Sequence, residues 1–317
     1  MKKYLFLAAT ALMLTACSSE EEVGSNPVEI RLTSGLTVQQ AGLRATTNIQ
    51  NTQFDSGEKI DVYISEGLDE GEYTTTTYES PLAYTTGDNG VMTPPEGKQP
   101  YFPASGNKVN ITAVYPSATV GAYETNDEGN VVSFTIETDQ STDANYKKSD
   151  IMIAQKSGVA RTHDAVELTF QHMLSKVTVK LKSGDGTPDL DGAIVELQSV
   201  KPIYSYNEAD DVMEADGTPT AIKVMETTTD KLEGSAIIVP QELATSFIKV
   251  TLADGGTLTS NGLKDKDGNP ITGNIKFEGG KVYTYEITVN LTGINITSSI
   301  SDWTDGGKNS GTATMEQ

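Results

Sequence analysis

Short runs in which apolar and polar residues alternate, set apart by Gly, Asn, Asp and Pro, recur along this chain at spacings of about ten residues. A period of two places every second side chain on one face, the pattern of a half-buried strand. The runs are Val28–Thr33, Lys59–Ser65, Val109–Tyr115, Val131–Glu137, Ile151–Gln155, Val166–Phe170, Val177–Leu181, Ala236–Val239, Phe247–Leu252 and Val282–Leu291. Valine and threonine dominate them, as a pleated surface favours. In Val282–Leu291, Tyr283, Tyr285, Ile287, Val289 and Leu291 share one face, while Thr284, Glu286, Thr288 and Asn290 share the other. At about 3.4 Å per residue that run extends roughly 34 Å, long for a sandwich strand. A second alternating stretch, Ile294–Ile300, follows after Thr292 and Gly293. Long amphipathic helical windows are absent, so the expected fold is all-β, with antiparallel sandwiches favoured over α/β layers.

The N-terminus has a different character. Lys2 and Lys3, the apolar run Tyr4–Met13, and Leu14-Thr15-Ala16 ahead of Cys17 form the successive parts of a lipoprotein export signal. The apolar run is too short to span a bilayer as a helix, which needs about 20 residues. Residues 1–16 are therefore expected to be the signal peptide, and Cys17 the acylated first residue of the exported chain. Cys17 is the single cysteine, so its acylation leaves no thiol for a disulfide, a zinc site or a nucleophile. An exported chain of this length without disulfides needs an ordinary core, and 317 residues suggest two domains. Ser18-Ser19-Glu20-Glu21-Glu22 opens an acidic tether over residues 17–27 and resembles the address that some diderm bacteria use to send lipoproteins to the outer face of the outer membrane.

Charge narrows the partners. The formal net charge is −21, and loss of Lys2 and Lys3 leaves 21 basic residues against 44 acidic ones, or −23. Such a surface argues against nucleic acid and against charge-driven binding to anionic lipid. Membrane attachment then rests on acyl chains at Cys17. The acidic residues are scattered through turns, which argues against disorder beyond the tether.

No constellation in the chain marks an enzyme. The two histidines, His163 and His172, have neither a cysteine partner nor a metal-binding spacing, and no metal or cofactor is expected. His172 sits among Phe170, Met173 and Leu174, as an edge or core residue would. Asp265-Lys266-Asp267-Gly268-Asn269 begins like a calcium loop, but Pro270 stands where the loop needs glycine; Asp189-Leu190-Asp191-Gly192 is also incomplete. No nucleophile elbow, phosphate loop or dinucleotide fingerprint occurs. Gly255-Gly256, Gly279-Gly280 and Gly306-Gly307 each separate strand-like runs and are expected to be hairpin turns. A domain boundary is expected near Gly158–His163, dividing residues 28–162 from residues 163–317.

Only three arginines are present, Arg31, Arg44 and Arg161. Arg31 lies in the first alternating run and Arg161 at the expected boundary. Arg44 lies in a polar stretch without strand character, from Gln39 to Asn48, where a trypsin-like protease would find extended backbone. Composition alone leaves an ordinary loop arginine as the alternative.

Ordered segments of the chain resemble the fimbrillin family, the pilin-like lipoproteins of type V pili. They are the lipid-attachment motif at Cys17 with its acidic follow-on, Arg44-Ala45-Thr46 through Phe54-Asp55 into Glu58–Val62, and Asp150–Ala154. The series continues with Leu168–Val177, Lys281-Val282-Tyr283 leading to Ile300–Trp303, and Gly311–Met315. The resemblance implies two transthyretin-like β-sandwich domains in tandem and an assembly mechanism. An arginine-specific protease cuts in the loop after the first strand, that strand is lost, and a strand of another subunit fills the groove. Carried onto this sequence, the first strand is 28–34 with Val28, Ile30 and Leu32 as its apolar row. The processing loop is 35–48, with cleavage between Arg44 and Ala45. The donor segment is 294–315, with Ile294, Ile296 and Ile300. The implied partners are other pilus subunits, outer-membrane lipid on the precursor and the protease; the implied location is the cell surface, then the fimbrium. The competing reading is a non-polymerising surface lipoprotein that binds glycan or protein. A sugar site needs an exposed aromatic platform, and Trp303 as the single tryptophan, with 7% aromatics, argues against one. A surface hydrolase lacks any supporting constellation.

Overall fold

A computed structural model describes residues 26–36, 54–67, 73–74, 78–126, 130–207, 212–260, 263, 270–290, 293–302 and 311–314. The first half runs β1 (Leu32–Leu36), β2 (Lys59–Gly67), β3 (Tyr73–Thr74), β4 (Leu82–Thr86), β5 (Val91–Thr93), β6 (Val109–Tyr115), β7 (Ala122–Thr125) and β8 (Val131–Thr135). Helix α1 (Asp143–Ser149), β9 (Met152–Val159) and β10 (Val166–His172) complete it. The second half opens with β11 (Ser175–Ser183), β12 (Ile194–Val200), β13 (Ile203–Asn207), β14 (Val212–Asp216), β15 (Thr220–Glu226) and β16 (Glu233–Ile238). It closes with β17 (Glu242–Leu243), β18 (Ile248–Thr251), β19 (Thr257–Thr259), β20 (Ile275–Lys276), β21 (Lys281–Asn290), β22 (Gly293–Asp302) and β23 (Gly311–Thr314). The protein is all-β, as the alternation requires, and each of the ten expected runs overlaps a strand.

The first large sheet has the order β3-β2-β4-β5-β1-β10-β9-β6, and β6 also pairs with β2. Seven of its strands therefore close into a ring, and β3 hangs outside on β2. Closure removes the open edges that invite pairing with other chains. The ring encloses a core that includes Ile60, Val62, Tyr84, Phe102, Ile111, Leu168 and Phe170. Phe54 stacks into it, edge-on to Phe170 at 5.0 Å between ring centres.

The second half is two-layered. One sheet has the order β16-β11-β21-β22-β23 and the other β15-β12-β18-β19. Val177, Val179, Tyr283, Tyr285 and Ile287 of the first share a core with Val195, Leu197, Ile222, Val224, Ile248 and Val250 of the second. The pairing is not purely antiparallel: β1 runs parallel to β10, and β11 runs parallel to β21 over eight residue pairs.

The halves are interwoven. β10 follows the boundary expected at residues 162 and 163, yet it pairs with β1 and β9 of the first sheet. Sheet membership changes at Met173 and Leu174. In the opposite direction, β7 and β8 leave the ring and join β13 and β14 in a four-stranded sheet ordered β14-β13-β8-β7. Buried Gln140 binds the Ile237 backbone reciprocally, donating to its carbonyl at 2.9 Å and accepting from its N–H at 2.7 Å. Tyr63, Phe134, Tyr146 and Ile151 lie in the same buried cluster as the second-half core.

Two glycine pairs do different work. Gly255 lies at φ +89° in the turn between β18 and β19, with Leu252 and Gly256 bonded across it, as a hairpin requires. Gly279-Gly280 joins β20 to β21, which do not pair with each other. The reason for glycine there is close approach: a Cβ on Gly279 would stand 2.5 Å from the Met173 carbonyl oxygen, at the passage between the halves. Gly306-Gly307 lies outside the described residues.

Candidate strand-exchange elements

The N-terminal segment is built into the ring on both edges. Leu32–Leu36 pairs in parallel with Val166–Phe170, and Leu32 and Thr33 pair antiparallel with Met92 and Val91. Ahead of it, the Ile30 N–H donates to the Pro100 carbonyl at 2.9 Å, and the Phe102 N–H donates to the Val28 carbonyl at 2.8 Å. The Gln99 side-chain amide adds a bond to the Ile30 carbonyl at 3.0 Å.

The inward row is Val28, Ile30, Leu32, Ser34 and Leu36, by alternation. Its four apolar members are at most 5% exposed. Ser34 is tolerated in that row because its hydroxyl donates to the Gly90 carbonyl at 3.2 Å. Gly90 comes close enough only because it lacks a side chain: at φ +75°, a Cβ would lie 2.3 Å from the Ser34 carbonyl oxygen. Burying four such side chains stabilises by about 1.5–3 kcal/mol each, or about 6–12 kcal/mol together. A whole domain has about 5–15 kcal/mol of net stability. The segment is thus a structural member of the ring, and its removal would demand a replacement.

Two arginines, Arg31 of this segment and Arg161 of the β9–β10 connection, add side-chain bonds. Arg31 points outward and donates from its guanidinium to the His163 carbonyl. Arg161 donates to the Asn26 carbonyl at 2.6 Å. Both tie the segment to the β9–β10 connection, a role that composition did not reveal.

The C-terminal strands are placed differently. β22 pairs with β21 over ten residues, setting Ile294 opposite Val289, Ile296 opposite Ile287 and Ile300 opposite Tyr283. β23 forms the rim of that sheet and pairs only with Asn295–Ser298 among the described residues. Cross-strand partners share a face, so Ile300 lies on the side that carries buried Tyr283. It is nevertheless 48% exposed. The side chains of Ile294 and Ile296 lie outside the described residues. So do Cys17, Arg44, Ala45, Trp303 and the loop Asp265–Asn269.

The first strand, expected at residues 28–34, continues its inward row to Leu36. The alternation was visible, but the hydroxyl's partner was not. His172 stands at the end of β10 with its Nδ1 2.8 Å from Oδ1 of Asp150, which is 1% exposed. Burial lowers the pKa of nearby Lys176, and the charges of Asp150 and Glu233 oppose that shift. This cluster lies at the passage between the halves. In the Asp189–Gly192 turn, the Asp191 N–H donates to the Asp189 carboxylate at 3.0 Å.

The fold is that of an all-β protein with an N-terminal strand enclosed in a ring and C-terminal strands at a sheet rim. The fimbrillin-like family matches residues 44–303, most of the chain, and the protein belongs to that family. It is 29% identical to a proposed fimbrium subunit, Fim1C, of Bacteroides uniformis, over 96% of this chain and 97% of that protein. A crystal structure of a proposed cell adhesion protein from Bacteroides ovatus superimposes with a TM-score of 0.64 at 21% identity, covering 88% of this chain and 98% of that one. Another from Bacteroides uniformis gives 0.61 at 22% identity, covering 87% and 98%. These two establish the likeness of fold.

Proposed function

We propose that this protein is a structural or adhesive subunit of a cell-surface pilus, exported as a lipoprotein through Cys17 to the outer membrane and matured by an arginine-specific protease. Its role is assembly rather than catalysis. Cleavage between Arg44 and Ala45 detaches the segment that ends at Leu36, and a strand from the C-terminal region of another subunit, within 294–315, takes its place. Two transthyretin-like modules, interwoven through the β7–β8 extension, carry the exchange. Family membership supports the pilus reading, and the family match begins at Arg44.

The observation that carries the mechanism is the contrast between a removable segment and its setting. Val28, Ile30, Leu32 and Leu36 fill the ring, yet they belong to a segment with an arginine only eight residues beyond its end. A vacated position between β5 and β10 would expose two rows of unpaired backbone groups and an apolar trough. Both favour strand addition, with alternation setting the register. A head-to-tail contact of this kind does not close on itself and extends into a filament. N-terminal sequencing of protein shaved from cells tests the maturation step. A start at Ala45 supports it; a blocked, lipidated Cys17 on all surface copies contradicts it.

A further inference from the structure

Beside the N-terminal segment lies a cleft of about 400 Å³. Small-molecule sites commonly have volumes of about 300–1,000 Å³. Leu82 and Phe102, both buried, contribute apolar walls, and Tyr78 and Tyr101 contribute aromatic ones. Tyr101 is 41% exposed. Tyr78 is held in place by its hydroxyl, which donates to the Tyr101 carbonyl at 3.0 Å. Burial, with Glu66 adding to it, pushes the Tyr78 phenol up to about 12, so it remains a donor at any physiological pH. At the rim, Lys98 Nζ meets Glu79 Oε2 at 2.5 Å, with both side chains at least half exposed.

These groups select a ligand by chemistry. Lys98 and Glu79 neutralise each other, so a charged ligand gains nothing from one without separating it from the other. A polyanion also meets a chain of net charge −21. A purely apolar ligand leaves the ion pair unused. While the N-terminal segment or its replacement is in place, an extended peptide cannot add here as a strand, because in the full chain the backbone at Pro100 and Phe102 is already bonded to Ile30 and Val28. A sugar ring suits all three features: its C–H face stacks on a tyrosine, and neighbouring hydroxyls donate to the carboxylate and accept from the ammonium.

We propose that the Tyr78–Tyr101 cleft binds a neutral glycan, with Tyr101 as the stacking platform and Lys98–Glu79 as the hydroxyl clamp. This deepens the adhesive side of the proposed function and rests on that side alone. Polymerisation into SDS-resistant ladders and glycan binding are separate measurements, so strand exchange can fail while the cleft still binds.

The test is an array of neutral hexose and N-acetylhexosamine oligosaccharides, with sialylated and sulfated ones alongside, probed with the full chain. Titration calorimetry follows on the strongest neutral binder. Saturable binding is expected, weakened about tenfold by Tyr101→Ala, as loss of a central aromatic contact does. Tyr101→Phe should bind within about twofold of the parent, because the ring face is kept. Lys98→Ala with Glu79→Ala should weaken binding severalfold while thermal melting confirms the fold. The proposal is overturned if no neutral glycan binds, if only acidic glycans bind, or if folded Tyr101→Ala binds as the parent does.

Discussion

The N-terminal segment and the C-terminal strands share an alternating sequence pattern but occupy opposite kinds of position. Residues 28–36 sit between strands, bonded on both edges, with Val28, Ile30, Leu32 and Leu36 enclosed. β22 and β23 finish a sheet at its rim, and Ile300 is left half exposed. Alternation states that one face is apolar; it does not state whether anything covers that face. The difference separates an element whose loss opens a core from one whose loss trims a sheet. That is the asymmetry the proposed exchange requires of an acceptor and a donor.

The largest expected effect breaks this comparison outright. A chain beginning after Leu36 should lose its cooperative thermal transition, because about 6–12 kcal/mol of burial disappears from a fold of comparable net stability. Deleting residues 311–317 removes the short β23 rim and should cost about 1–2 kcal/mol, or a few degrees in Tm by circular dichroism. Similar losses from the two deletions would erase the distinction.

Point substitutions sharpen it. Ile30→Asp places an unpaired carboxylate where the side chain is fully buried and should cost about 4 kcal/mol or more. Ile300→Asp should alter stability by no more than about 0.5 kcal/mol, yet it should suppress ladder formation if this strand is the donor. Denaturant titration of both, with an SDS-gel assay of the second, checks the pair.

Gly90→Ala should fall between these extremes, at roughly 2–3 kcal/mol, since the turn must move away from Ser34 and leave the left-handed region. A Tm within a degree of the parent would show that the close approach is unimportant. The smallest effect is expected for Arg31→Ala with Arg161→Ala. Loss of these exposed side-chain bonds should cost about 1 kcal/mol and hasten departure of the cut segment, measured by the rate at which it separates from the remaining chain.

Much of the fold was legible because strand periodicity is a local signal. Val109–Tyr115 and Val166–Phe170 announce themselves by alternation, and each is a strand of the ring. Ring closure through β2 and β6 was not legible, since it depends on which distant runs pair. β14 was missed for a physical reason: Val212, Glu214 and Asp216 are exposed and its other two residues only partly covered, so its apolar pattern is weak. The passage at Met173 and Leu174 was hidden because β10 resembles any other strand, and only its pairing with β1 assigns it to the first sheet. The Tyr78–Tyr101 cleft was not legible either, since it depends on how residues 78–82 fold against residues 98–104.

The proposed exchange requires residues 28–36 to be a replaceable part of the core. Its most direct test is limited digestion of the folded full chain with an arginine-specific protease, followed by mass spectrometry and unheated SDS gels. The expected result is a cut after Arg44, with Arg31 and Arg161 spared, then release of the N-terminal fragment together with SDS-resistant ladders. A chain cut after Arg44 that keeps its fragment, or loses it, and stays monomeric at every concentration would contradict it.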